Sequence, residues 1–93
     1  MQPTQKDYSG STWAISLTTG DTAKPLSTDK LILTDVNIHV YTNAVYYGSG
    51  SQQKSKASAN DVITFRWIDV STIFFKNFTA GNNATIEATG VIK

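Results

Sequence analysis

Apolar and polar residues alternate along this chain in short period-two runs, and each run ends in residues that form turns. Trp13, Ile15 and Leu17 alternate with Ala14, Ser16 and Thr18, which puts three large side chains on one side of an extended strand. Thr19-Gly20-Asp21-Thr22 supplies turn chemistry after it. A short strand is predicted around Ala23–Ser27, and Pro25, with no amide to donate, assigns that piece to a sheet edge. The longest strand predicted is Leu31–Tyr41. Its first residues, Leu31 to Thr34, have no clear sidedness, but from Val36 the alternation settles, with Val36, Ile38 and Val40 on one face. Thr42-Asn43 turns the chain into Val45–Tyr47, which Gly48-Ser49-Gly50 ends.

Ser49 to Asn60 holds no large apolar side chain and reads as an exposed, serine-rich loop. Asn60-Asp61 marks a turn, because Asn accepts the left-handed backbone conformation that tight turns require. In Val62–Trp67, Ile63, Phe65 and Trp67 share one face and Val62, Thr64 and Arg66 the other. Ile68–Thr72 links it to a strand over Ile73–Phe78. Thr79–Asn83 then turns into Ala84–Ile92, where Ile86 and Ala88 oppose Thr85, Glu87 and Thr89. No stretch carries apolar residues at helical spacing, and the β-branched and aromatic content favours strands. The fold class predicted is all-β: a small antiparallel β-sandwich or barrel of roughly six to eight short strands.

Length and composition narrow this reading. A chain of 93 residues has room for one core, so residues 12–93 are read as a single β-sandwich domain. Residues 1–11 are polar and aperiodic, and read as a flexible N-terminal arm in which Tyr8 is a candidate anchor on a neighbouring subunit. Two Trp, four Tyr and four Phe are more aromatic surface than a core of this size absorbs. Large aromatics that stay outside concentrate at interfaces. Eight Lys and Arg balance seven Asp and Glu, without the basic stripe that phosphate neutralisation demands, so no nucleic-acid partner is expected. No apolar run reaches the length of a membrane span, which predicts a soluble protein without a membrane partner. With no cysteine, a disulfide framework, a thiolate metal site and a cysteine nucleophile are all excluded.

No catalytic, cofactor or metal set can be assembled from the remaining polar residues. His39 is the one histidine. Asp35 shares its strand face, but four residues along a strand separate them by about 13 Å, too far to chelate one ion. Asp21, Asp29, Asp61 and Asp69 fall at turns or strand ends, where Asp bonds locally to backbone. Gly48-Ser49-Gly50 lacks the Lys-Ser/Thr pair and the helix of a phosphate loop. The aromatics are the remaining candidates. Tyr46 and Tyr47 point to opposite faces of a regular strand, as do Phe74 and Phe75. The outward member of each pair, with Trp67 and Tyr8, is predicted to contact a partner. The same rings, Tyr46, Tyr47, Trp67, Phe74 and Phe75, could instead serve as a sugar-stacking platform.

Ala23-Lys24-Pro25-Leu26-Ser27, Leu33-Thr34-Asp35-Val36-Asn37-Ile38 and Asn43-Ala44-Val45-Tyr46-Tyr47-Gly48 resemble segments of small all-β virion proteins of tailed bacteriophages. The likeness continues through Ala59–Phe65, Asp69–Phe75 and Thr79–Ile86, and covers about residues 23–89. Asn60 stands where those proteins usually have glycine, and Arg66-Trp67 is bulkier than their corresponding positions. The resemblance implies a non-catalytic structural protein of the virion, as a capsid decoration protein that stabilises the shell through repeated interfaces. It implies a homo-oligomer whose partners are the major capsid protein or other virion proteins. The alternative is a tail- or fibre-associated β module that binds glycan.

Overall fold

The computed structural model describes residues 12–93. Eight strands form two four-stranded antiparallel sheets: β1 Thr12–Thr18, β2 Lys24–Pro25, β3 Ile32–Tyr41, β4 Val45–Gly48, β5 Gln53–Ala57, β6 Val62–Asp69, β7 Phe74–Asn77 and β8 Thr85–Ile92. The first sheet runs β1-β8-β3-β6 and the second β2-β7-β4-β5. The fold is therefore a β-sandwich, with no strand shared between the sheets to close a barrel.

The alternation seen in the sequence fixes which residues face inward. Val36, Ile38 and Val40 of β3 and Ile86 and Ala88 of β8 are buried, and Val45 and Phe75 meet them from the second sheet. Pro25 ends β2 after two residues, and β2 sits at the edge of its sheet beside β7. Asn60 takes φ 75° in the turn before β6, and its amide donates to the Val40 carbonyl at 2.6 Å.

The two sheets differ in size. Strands of the first sheet have seven to ten residues and those of the second two to five. The short sheet therefore covers only part of the long sheet's inner face. Trp13, Ile15 and Leu17 on β1, and Ile63 and Phe65 on β6, are left half-buried at the two flanks.

Two sequence expectations change. The segment 49–60 is not wholly a loop, because Gln53–Ala57 pairs with β4 as an edge strand. Only Ala57 of β5 is buried, so the strand carries none of the large apolar side chains from which period two is read. The second change concerns Trp67, which does not join Ile63 and Phe65 on the inner face.

Candidate functional site

β6 is an edge strand of the first sheet, paired only with β3. Ile63 and Phe65 point inward as period two requires, but Trp67 is 63% exposed and Ile68, one residue later, packs on the core. The cause is local: Trp67 has φ 53°, and this left-handed turn of the backbone swings its side chain to the outside. A bulky side chain in that region is strained, at about 1–3 kcal/mol. The strand opposite is irregular at the same level. β3 shifts register against β8 between Leu33 and Asp35, which leaves Thr34 as an extra residue facing Trp67. That bulge explains why Leu31–Thr34 shows no sidedness in the sequence. It also explains Gly90 on β8: a Cβ there would stand 2.6 Å from the Asp35 carbonyl oxygen.

Beside the indole, Arg66 Nε lies 3.3 Å from Asp35 Oδ1, with both side chains largely exposed. The pair adds little stability in water. Where β6 faces β4 and β5, the sandwich is open. A cleft of about 370 Å³ lies between the sheets, with Tyr47, Phe65, Ile68 and Ile73 as its apolar walls. Tyr47 reaches across the gap to Phe65, ring centroids 6.5 Å apart in an edge-on contact. Trp67 thus sits on the strand that forms one wall of an apolar cleft.

Asp69 anchors the end of β6. Its Oδ1 accepts from Ser71 Oγ at 2.7 Å, Ser71 N at 3.0 Å and Leu31 N at 3.2 Å, capping the 3-10 turn Val70–Thr72. The Ser71 hydroxyl is the main cause that holds this carboxyl below its ordinary value of 3.8. Asp21 is lowered from the same value, first by the Gly81 amide and then by the Asn77 side chain. A carboxyl whose pKa is depressed by folding contributes stability that is fully present above its unfolded value and lost as pH falls through the folded one. The urea midpoint is therefore expected to hold down to about pH 4 and to drop below it. Asp69→Asn should flatten that drop. An acid slope unchanged in the variant would show that Asp69 does not contribute to it.

The structure separates the other aromatic candidates. Tyr47 and Phe75 face the core, stacked at 5.8 Å. Phe75 is fully buried and is removed from the contact set, because the pleat that turns Phe74 outward turns Phe75 in. Tyr46 faces out on the second sheet, opposite Lys56 and Lys76, and Phe74 is half-exposed beside Gly50. The five rings thus divide between the interior, the outer face of the second sheet and the β6 edge, and form no common stacking platform. Tyr8 lies outside the described residues. His39 stacks on Tyr41 at 6.0 Å on the outer face of the first sheet. Among the described residues, no three His, Asp or Glu side chains gather into a metal-sized set.

One participant escaped sequence reasoning. Phe78 is 37% exposed, packs on Tyr46 at 4.8 Å and carries the Lys56 ammonium 4.3 Å from its ring centroid. Its signal was the continuing alternation Phe74, Lys76, Phe78. Lys56 falls in the segment that reads as a loop, and the pattern alone does not place it over a ring. No family model, curated protein or solved structure matches the chain.

Proposed function

We propose that this protein is a non-catalytic structural component of a tailed-phage particle, a capsid decoration protein that binds the major capsid protein through its β6 edge. The resemblance of residues 23–89 to small virion proteins supports the setting. The observation that carries the contact is Trp67: a large apolar side chain, 63% exposed, held outward by a strained backbone. The outward turn places Ile68 on the core and leaves the larger side chain outside, where it adds nothing to folding. Tryptophan in a desolvated pocket is a frequent centre of binding energy, and the cleft on the inner side of β6, walled by Phe65 and Ile68, offers room for an apolar side chain of the partner. Repeated over a shell, such contacts stabilise the particle by mass action.

Trp67→Gly separates folding from binding. Glycine accepts φ 53° without strain, so folding stability is expected to be unchanged or raised by up to about 1 kcal/mol. Binding to purified shells, measured by co-sedimentation, is expected to weaken by at least about thirtyfold. Failure of the unmodified protein to co-sediment with shells, together with its absence from virions analysed by mass spectrometry, would sink the proposal.

A further inference from the structure

The sandwich has four edge strands, and three of them carry devices that stop another strand from pairing there. β2 is two residues long and includes Pro25. β5 presents Lys54 and Lys56, and its register with β4 shifts between Tyr47 and Gly48. β6 is kinked by the positive φ of Trp67 and bears Arg66. The fourth edge, β1, has none of these. Thr12–Thr18 (TWAISLT) has no charge and no proline, and its register with β8 is unbroken from Thr12 to Thr18.

The hydrogen-bonding parity of β1 follows from one contact. Thr19 N donates to Ala84 O at 2.9 Å in the register that β1 keeps with β8. Alternation in an antiparallel ladder then aims the backbone groups of Trp13, Ile15 and Leu17 at β8. Those of Thr12, Ala14, Ser16 and Thr18 face away. Lys24 Nζ, which reaches the Thr18 carbonyl at 3.1 Å from the open side, agrees with that assignment. Among the described residues, nothing else bonds to this row of donors and acceptors.

The strand is also complementary to itself. Laid antiparallel on a second copy about Ile15, it sets Ala14 opposite Ser16 and Thr12 opposite Thr18. These residues all have their amides and carbonyls facing the open edge, so the two central Ala14–Ser16 pairs can exchange hydrogen bonds directly, and the outer Thr12–Thr18 pairs can do so once the exposed Lys24 Nζ leaves the Thr18 carbonyl. On the inner face Trp13 meets Leu17 and Ile15 meets Ile15. These are the three side chains that the short second sheet leaves half-buried. On the outer face Glu87 neighbours Ser16, and across the junction that row continues into Ala14 and Thr89 of the second copy, with no like charge opposed.

We infer that β1 is a self-association edge, at which two copies of this chain pair antiparallel about Ile15 and join their larger sheets into one of eight strands. The contact is isologous and closes at two copies. It lies at the opposite edge of the larger sheet from Trp67, so a dimer would keep both β6 edges available. The inference does not depend on what β6 binds.

The full chain, studied by sedimentation over a range of concentrations, is expected to run as a dimer. Ala14→Pro removes only an amide that faces the open edge, so its urea midpoint should stay near that of the parent. Its dimer should weaken by at least about thirtyfold. The chain has no cysteine, so an introduced thiol reports one contact. Ile15→Cys should cross-link two copies under mild oxidation, and Thr64→Cys, on β6, should not. A parent protein that is monomeric throughout overturns the inference. So does an Ala14→Pro variant that folds and still dimerises, or a cross-link that forms as readily at position 64 as at 15.

Discussion

Phe75→Ala is expected to remove about 3–5 kcal/mol of folding stability, a large part of the roughly 5–15 kcal/mol available to a domain of this size. Phe75 is fully buried, and its ring stacks on Tyr47, which touches Phe65 edge-on. These three rings join β7, β4 and β6 across the interior of the sandwich. Truncation to alanine would leave a cavity against Tyr47, whose ring would lose one side of its packing. Phe75→Leu keeps most of the volume and should lose less than about 1.5 kcal/mol. Urea unfolding followed by tryptophan fluorescence measures both variants. If Phe75 were a partner contact, Phe75→Ala would instead fold normally and lose binding. A loss of stability below about 1 kcal/mol would therefore overturn its assignment to the core.

Phe75 also shows what the sequence could and could not decide. Period two requires Phe74 and Phe75 to face opposite ways, yet does not say which faces in. That depends on the register of β7 against β4, where Phe75 opposes Tyr47. For β1, for β3 from Val36 onward and for β8 as far as Thr89 no such ambiguity arises, since small or polar side chains occupy the outer positions. β5 was hidden for a different reason. As an edge strand it is stabilised by backbone bonds to β4 and by one buried alanine, and its lysines serve to keep other strands away. Trp67 lies beyond sequence reasoning of this kind. Its outward turn comes from a positive φ that its residue type disfavours, imposed where β6 faces the Thr34 bulge. Trp67, a contact candidate in the sequence, is exposed for a reason the pattern does not contain: alternation alone would have buried it.

Asn77→Leu is expected to cost about 2–3 kcal/mol, through polar groups rather than lost volume. Asn77 is 6% exposed and Thr19 1%. Thr19 Oγ1 donates to Asn77 Oδ1 at 2.6 Å and accepts from Ala84 N at 2.8 Å. Asn77 Nδ2 donates to Asp21 Oδ1 and Asn83 Oδ1, both at 2.9 Å. One amide therefore ties the β1–β2 turn to the β7–β8 turn, at the end of the sandwich where the two sheets are joined. Leucine fits the space but accepts nothing, so the Thr19 hydroxyl loses its short bond in a site that water does not reach, while Asp21 and Asn83 turn to solvent. The Asp21 carboxyl, lowered in part by Asn77, should then rise toward its ordinary value, and part of the stability loss below about pH 4 should disappear. Thr19→Val alone strands the Ala84 amide and Asn77 Oδ1. Made in the Asn77→Leu background it removes a hydroxyl that has already lost Asn77 and keeps only its bonds to Ala84, so the double variant should be more stable than the summed losses by about 1–2 kcal/mol. Strict additivity in that cycle, read from urea midpoints at neutral pH, would mean that the two side chains act separately and that the turns are held together by the backbone bonds alone.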